Sequence, residues 1–233
     1  MTDSCAIIWD FDGTLAYRAG LWSQCLADVA NDALGLRLTR DPFIAFLKSG
    51  FPLHAPEVSH THLTGADEWW AALEPLLAAA FSGAAQVDEP RARLLARQVR
   101  VRYTHPDAWT VFPDTRAALE ALSDAGWVHV LLSNHVPELP ALVEALGLAR
   151  YFEAILSSAH IGYEKPRTEC FDVARSHLPE GMRRIVVVGD SHSADMIGAE
   201  SAGLEGILVR STPQEPHKNF ADLVSLVDYL DAS

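Results

Sequence analysis

The sequence predicts an α/β fold: a doubly wound parallel sheet with helices on both faces, and an α-helical insertion after the first strand. Three observations lead to this prediction. An apolar run over residues 6–9 has the pattern of a buried strand. A long stretch with only helical periodicity follows it. From about residue 113, short strands rich in Val, Ile and Leu alternate with helices, which is typical of a parallel sheet covered on both faces.

The core elements are predicted from periodicity and from the residues that end helices. Strands are expected over residues 128–132, 154–156, 185–188 and 206–209, and helices over 114–125, 137–146, 168–177, 194–202 and 221–229. Gly147 and Gly203 stand where two of these helices stop, as glycine commonly does at helix C-termini. Residues 1–16 and 109–233 are therefore assigned to the α/β core.

The insertion, residues 17–108, is predicted to be helical throughout. Its periodic segments cover residues 21–36, 41–48, 67–81 and 89–103. A loop over residues 50–65 separates its halves and contains His54, His60 and His62. These histidines lack the paired spacing of a metal site and are interpreted as loop residues, one of which could face a substrate. Trp69 and Trp70 lie on an amphipathic helix and are expected to pack in its core.

The composition limits the partners of this chain. A net charge of −13 over 233 residues disfavours nucleic acid, which is bound by clustered Lys and Arg. An anionic substrate then needs a local metal or Lys. Three widely spaced cysteines are typical of a reducing compartment, and no apolar run is long enough to span a bilayer. We expect a cytoplasmic protein with no membrane partner, and the sequence predicts no oligomeric state.

Polar residues follow several predicted strands at the point where each strand ends. Because parallel strands end at one edge of a sheet, these side chains should converge. The acids suit a divalent cation, a hydroxyl and an ammonium suit phosphate oxygens, and one carboxylate is left for nucleophilic attack. The set therefore predicts phosphoryl transfer. It consists of Asp10, Asp12, Ser133, Asn134, Lys165, Asp190 and Asp195.

Four of these segments, in this order, resemble the motifs of the haloacid dehalogenase (HAD) superfamily of phosphohydrolases. They are Asp-Phe-Asp-Gly-Thr at 10–14, Leu-Leu-Ser-Asn at 131–134, Lys-Pro at 165–166, and Gly-Asp-Ser at 189–191 followed by Asp195. The helical insertion lies between the first two motifs, as in that superfamily's first cap type. The resemblance thus covers the whole chain and implies a Rossmann-like HAD core with an inserted α-helical cap domain.

The resemblance implies a role for each acid. Asp10 would attack phosphorus and carry an aspartyl-phosphate intermediate. Asp12 would protonate the leaving oxygen and then take a proton from the attacking water. One Mg²⁺ would bind the Asp10 carboxylate, the Asp12 backbone carbonyl and Asp190. Asp195, also assigned to the metal site, would orient metal-bound water rather than coordinate the metal.

The remaining assignments concern the phosphate and the substrate. By the resemblance, Ser133 and Lys165 would hold the equatorial phosphate oxygens. Thr14 and the backbone of Asn134 are expected as secondary contacts. Tyr17 and Arg18 are candidate substrate contacts, because the chain passes the cleft there on its way into the insertion.

The presence of Asp12 distinguishes between two activities found in this superfamily. Dehalogenases of this fold have no carboxylate at that position, because halide leaves without a proton. An acid there implies an oxygen leaving group. The expected function is a Mg²⁺-dependent phosphatase that acts on a small phosphorylated metabolite.

Three alternatives stay open at this point. A sugar phosphomutase of the same superfamily shares every motif and returns the phosphoryl group to its substrate. An aspartyl-phosphate receiver, a signalling module, also uses an acid cluster, a hydroxyl and a Lys, but it needs neither the insertion nor Asp12. A non-catalytic binding protein has no need to keep all the charged groups of the site.

Overall fold

The computed structural model describes residues 5–212 and 216–232. Residues 1–4, 213–215 and 233 of the predicted core lie outside the described residues. Within the described ranges the strands are β1 (Cys5–Trp9), β2 (Ala16–Tyr17), β3 (Thr110–Val111), β4 (Val128–Ser133), β5 (Ala154–Ser157), β6 (Arg184–Gly189), β7 (Glu205–Val209) and β8 (Lys218–Phe220).

A six-stranded sheet lies at the centre of the molecule, and every pairing in it is parallel. Its strand order is β5-β4-β1-β6-β7-β8. β1 is central: Ile8 is in register with Val130 on β4 and with Val187 on β6. The predicted α/β class is therefore confirmed, and the strand order places the end of β1 between the ends of β4 and β6.

Helices α1 (Leu21–Leu34), α2 (Asp41–Ile44), α3 (Ala66–Ala85) and α4 (Glu89–Tyr103) make up the insertion. α4 has the predicted bounds, and the side chain of Asp88 caps it by accepting a hydrogen bond from the Arg91 N–H. α1 ends two residues earlier than predicted, because Gly35 takes a left-handed conformation with φ 66°. No helix of the described ranges is long and apolar enough to cross a membrane.

Core helices cover both faces of the sheet. They are α5 (Thr115–Asp124), α6 (Leu139–Ala145), α7 (Ser158–Ile161), α8 (Thr168–Ser176), α9 (Ile197–Ser201) and α10 (Leu223–Asp231). Alternate residues of β1 face opposite sides, so Trp9 packs in one apolar cluster with α5, α6 and α10. Ile8 packs in a second cluster with α8 and α9. The sheet is doubly wound, as predicted.

Some elements differ from the prediction. The helix expected over residues 194–202 begins as a π-helical turn at His192–Met196 and continues as α9. β8 and α7 were not predicted, because both are very short and β8 reads Lys-Asn-Phe without apolar alternation.

A two-stranded antiparallel ribbon joins the insertion to the core. β2 enters the insertion and β3 leaves it, with Ala16 in register with Val111 and Tyr17 with Thr110. The predicted domain borders, at 16/17 and 108/109, fall within or next to this ribbon. The division into two domains stays a prediction.

Candidate active site

The site begins where β1 ends. The Asp10 N–H continues the sheet pattern by donating to the Val188 carbonyl at 2.9 Å, and its side chain is buried. The chain then turns tightly, with the carbonyl of Phe11 accepting from the N–H groups of Leu15 and Ala16. Gly13 allows this turn because its φ is +79°, and a Cβ there would come within 2.2 Å of an Asp190 carboxylate oxygen. Glycine is therefore required by the backbone conformation and by the adjacent carboxylate.

Three side chains converge on the Asp10 carboxylate. Lys165 Nζ donates to Oδ1 at 2.7 Å and Ser133 Oγ donates to the same oxygen at 3.0 Å. Thr14 Oγ1 donates to Oδ2 at 3.3 Å. These four residues come from three separate segments of the chain, and the sheet brings them together as the strand-end argument predicted.

Lys165 also bridges two acids. Its Nζ lies 2.7 Å from Asp10 Oδ1 and 2.5 Å from Asp195 Oδ1, and all three side chains are buried. Burial by itself lowers the pKa of Lys165, but the charges of Asp10 and Asp195 outweigh that effect and raise it. Lys165 is therefore a permanently charged ammonium at the reacting edge of the sheet.

Asn134 holds Lys165 through its backbone. The Asn134 amide donates to the Lys165 carbonyl at 3.0 Å and accepts from the Lys165 N–H at 2.7 Å. This pair of hydrogen bonds fixes the segment that carries the ammonium. The side chain of Asn134 is thus a positioning group, while the phosphate contact expected from its backbone stays a prediction.

Asp10, Asp190 and Asp195 form an acid cluster. Each offers a carboxylate oxygen, and these oxygens all lie within 4.8 Å of one another. Burial and then the charges of Asp10 and Asp195 raise the pKa of Asp190 to about 7. Burial also raises the pKa of Asp195, to about 6, against the opposing charge of Lys165. Carboxylates crowded in this way are stabilised by a divalent cation, so the donor set fits the predicted Mg²⁺.

Two of the four predicted metal residues, Asp195 and Asp12, differ from Asp10 and Asp190. Asp195 Oδ1 accepts from Lys165, and Asp195 Oδ2 accepts from the Ser191 N–H at 3.0 Å. Both oxygens therefore already have a protein donor, which favours the role of orienting water. The carboxylate of Asp12 is not part of the acid cluster among the residues that the structure describes, so its expected contribution through the backbone carbonyl stays a prediction.

Asp12 has the environment of a proton carrier. Its Oδ1 is shielded from solvent and has no hydrogen-bond partner within residues 5–212 and 216–232. Burial, followed by the charges of Asp10 and Asp190, raises the pKa of Asp12 well above its usual value. A carboxyl group with a raised pKa keeps its proton to a higher pH than an ordinary Asp, so it is suited to donate that proton to a leaving oxygen.

A cavity of about 250 Å³ opens beside Asp12. The insertion supplies most of its wall, largely as aromatic and aliphatic side chains, and His54 from the predicted loop is among them. The core supplies Asn134, His135 and Glu164. Sequence reasoning did not identify His135 or Glu164, although each directly adjoins a residue of the predicted site. Their position next to Asn134 and Lys165 in the sequence was the signal that could have identified them.

Tyr17 and Arg18, the two predicted substrate contacts, do not line the cavity beside Asp12. Pairing of β2 with β3 leaves Tyr17 41% exposed, with its ring against Phe112. Arg18 is buried, with its guanidinium 3.7 Å from the Asp28 carboxylate and 5.5 Å from the centre of the Tyr103 ring. Neither is among the described residues that line the cavity, so their predicted contact with substrate has no support in this geometry.

The fold and the strand-end site define a hydrolase of the α/β class with a helical insertion. Residues 6–203 match the haloacid dehalogenase-like hydrolases, and the chain belongs to that family. The family predicted from the four motifs is thereby confirmed.

Relatives and solved structures agree with this assignment. A haloacid dehalogenase-like hydrolase domain-containing protein 3 from Bos taurus is 26% identical over 76% of this chain and 74% of its own length. A ribulose-1,5-bisphosphate 5-phosphatase from Halopiger xanaduensis is 31% identical over 48% of each chain, so this chain spans about half of that relative. A HAD phosphatase structure from Thermococcus onnurineus superimposes with a TM-score of 0.67, 21% identity and 97% coverage of both chains.

A dehalogenase shares the fold equally well. The structure of a 2-haloacid dehalogenase from Pseudomonas syringae superimposes with a TM-score of 0.67 at 22% identity and covers 99% of both chains. The fold therefore does not distinguish phosphate esters from halides. That distinction rests on the side chains of the site.

Proposed function

We propose that this chain is a Mg²⁺-dependent phosphatase that hydrolyses a small phosphorylated metabolite through an aspartyl-phosphate on Asp10. The observation that carries the proposal is the different environment of two neighbouring carboxyl groups. Asp10 forms an ion pair with the Lys165 ammonium, whereas Asp12 has a raised pKa and an oxygen with no hydrogen-bond partner among the described residues. One is suited to attack and the other to proton transfer.

In the first step, the Asp10 carboxylate attacks phosphorus and the bond from phosphorus to the leaving oxygen breaks. Asp12 gives its proton to that oxygen, so the alcohol departs neutral. Lys165 and Ser133, which now contact Asp10 Oδ1, lie close enough to hold the equatorial phosphate oxygens.

In the second step, water attacks the phosphorus of the aspartyl-phosphate. Asp12, now ionised, takes a proton from that water, and the bond from phosphorus to Asp10 breaks. Inorganic phosphate leaves, and both carboxylates return to their starting states. The same residue thus acts as acid and then as base, which requires a pKa close to the working pH.

The acid cluster would hold the metal through Asp10 and Asp190, with Asp195 orienting its water. When bound, Mg²⁺ supplies charge neutralisation for the phosphate and for the crowded carboxylates. The close approach of Gly13 to Asp190 supports this placement, because any side chain at position 13 would occupy the space next to the Asp190 carboxylate.

Relatives support the reaction class. Proteins named ribulose-1,5-bisphosphate 5-phosphatase, glyceraldehyde 3-phosphate phosphatase and phosphoserine phosphatase are 31%, 29% and 33% identical to parts of this chain. Each acts, by its name, on a small phosphate ester. The presence of Asp12 is consistent with the same kind of leaving group here.

The test is release of inorganic phosphate from p-nitrophenyl phosphate with Mg²⁺ present. Asp10→Asn should lower the rate more than about 10³-fold because the nucleophile is lost. Asp172→Asn, an exposed acid on α8, is the matched control and should keep full activity. Unchanged phosphate release by a folded Asp10→Asn protein would contradict the proposal. A mutase would instead convert a sugar phosphate to its isomer without releasing phosphate.

A further inference from the structure

The cavity beside Asp12 has a wall of aromatic rings. They are supplied by the insertion, and its volume of about 250 Å³ suits a leaving group of a few heavy atoms. The rings also pack on one another: Trp22 stacks on Tyr103 with 4.0 Å between the ring centroids, and Phe51 lies 4.8 Å from Trp22. Trp69 completes the aromatic set. This part of the cavity is therefore rigid and apolar.

Besides Asp12, a second carboxyl side chain interrupts that wall. Glu164 lies on the cavity and is only 4% exposed. Its Oε2 has no hydrogen-bond partner among the described residues. Burial raises the pKa of Glu164 to about 7, although a hydrogen bond from Ser158 and the nearby charge of Lys165 oppose that rise. A buried carboxylate oxygen without a donor is costly, so a ligand that brings a donor would stabilise it.

The cavity holds no opposite charge for an anion. None of the described residues that line it is a Lys or an Arg. Burial lowers the pKa of His135 to about 4, so this imidazole is neutral at physiological pH, and burial also lowers the pKa of His54. Lys165 is engaged by Asp10 and Asp195. A carboxylate or second phosphate on the leaving group would therefore face Glu164 without a counter-charge.

We propose, on the basis of the phosphatase function above, that Glu164 binds a protonated amine on the leaving group. The preferred substrates are then phosphate monoesters of short amino alcohols. The ammonium N–H groups meet the Glu164 carboxylate, the carbon chain packs on the aromatic wall, and the ester oxygen lies next to Asp12. Glu164 is a specificity-determining residue in this assignment and takes no part in bond breaking.

Three esters with the same two-carbon chain test this proposal. They are 2-aminoethyl phosphate, 2-hydroxyethyl phosphate and phosphoglycolate, which end in an ammonium, a hydroxyl and a carboxylate. We expect kcat/KM to be about 10- to 100-fold higher for the ammonium ester than for the hydroxyl ester, as a charge-assisted hydrogen bond provides. The carboxylate ester should be the poorest substrate. Equal values for the ammonium and hydroxyl esters, or a preference for phosphoglycolate, would overturn the assignment.

Glu164→Gln tests the residue itself. It should lower the ratio of kcat/KM between ammonium and hydroxyl esters at least tenfold and should improve phosphoglycolate relative to both. Glu169→Gln is the matched control: Glu169 pairs with Arg167, is not among the described cavity residues, and should keep the wild-type ratio. An unchanged ratio in folded Glu164→Gln would overturn the assignment, and the wild-type comparison stands even if that variant fails to fold.

The two proposals fail in different ways. If the wild-type enzyme hydrolyses p-nitrophenyl phosphate but shows no preference for the ammonium ester, the role of Glu164 is wrong and the phosphatase function stands. If it releases phosphate from none of these esters with Mg²⁺ present, both are wrong.

Discussion

The acid cluster at the strand ends and the wall of the cavity beside Asp12 differ in how their buried charged groups are paired. At the strand ends, Lys165 joins Asp10 and Asp195 in a connected set of buried charges. On the cavity wall, the described partners of Glu164 leave Oε2 unpaired. The charged groups of the first region already contact one another, whereas our proposal for Glu164 requires the substrate to complete the second. If both proposals hold, the strand-end residues carry out the reaction and the cavity selects the leaving group.

The largest expected effect comes from removing the metal. With Asp10, Asp190 and Asp195 so close together, we expect chelation with EDTA to lower phosphatase activity more than about 10³-fold and added Mg²⁺ to restore it. Mg²⁺ should also stabilise the fold, by about 2.7 kcal/mol at 100 times its Kd, measured by thermal unfolding. Asp190→Asn should lose this stabilisation and Asp172→Asn should keep it. Full activity after chelation would contradict a metal role for the cluster.

The next largest effect distinguishes the role of Asp12 from that of Asp10. Asp12→Asn should lower steady-state turnover about 10²- to 10⁴-fold, because it removes the acid and the base. p-Nitrophenolate is a good leaving group that needs little protonation. Stopped-flow measurement with p-nitrophenyl phosphate should therefore show a burst of about one nitrophenolate per enzyme, followed by slow turnover as the aspartyl-phosphate accumulates. Absence of a burst together with normal turnover would exclude Asp12 as the proton carrier.

A third prediction concerns the core away from the site. Trp9 Nε1 donates to His129 Nδ1 at 3.0 Å, so this buried imidazole must be neutral, and burial lowers its pKa to about 4. The unfolded chain binds the proton more readily than the folded chain. The stability that His129 contributes is thus present above pH 6.5 and is lost as the pH falls toward 4, by about 2 kcal/mol at pH 5.

The measurement is urea unfolding at pH 7.5 and pH 5. His129→Gln should lose less stability than the wild type over this interval, and His177→Gln, on the surface, should behave like the wild type. At pH 7.5, phosphatase activity per folded molecule should be the same in His129→Gln and in the wild type. An identical pH dependence in wild type and His129→Gln would show that the histidine is not held neutral.

The smallest effect concerns the contact between insertion and core. Glu138, at the start of α6, accepts from Arg100 Nε at 2.6 Å and from Trp70 Nε1 at 3.0 Å, both from the insertion. Glu138→Gln weakens this half-exposed contact and should raise KM about threefold with little change in kcat. Glu74→Gln breaks ion pairs that lie within the insertion and should leave KM unchanged. A fall in kcat with constant KM would contradict a role for this contact in holding the insertion against the core.

The sequence was sufficient for the strand-end site because parallel topology determines where strand ends meet. Asp10 is 123 residues from Ser133 and 155 residues from Lys165 along the chain. Nevertheless Asp10 follows β1, Ser133 ends β4 and Lys165 lies beyond β5, all strands of the same sheet. The order of four motifs then identified the family. Short-range sequence patterns, together with the rule that parallel strands end at one edge of a sheet, were enough to predict which residues come together.

The cavity could not be predicted in the same way. Its wall depends on how the insertion packs against the core, and helical periodicity gives only which face of a helix is apolar. Trp69 was expected to pack in a core, and it is 6% exposed, but it also lines the cavity. Arg18 was expected at the cleft from its position in the chain, whereas its guanidinium lies against Asp28 and Tyr103 and it is not among the described residues that line the cavity.

The ribbon of β2 and β3 has a consequence for protein engineering. Both crossings between core and insertion are paired side by side, with Ala16 opposite Val111. Their Cα atoms in such a pair lie only about 5 Å apart. A different helical module whose ends are equally close can therefore be grafted at this point without lengthening the chain or disturbing the parallel sheet. Such a graft would replace the aromatic part of the cavity wall, while Glu164 and the acid cluster, which belong to the core, would stay in place.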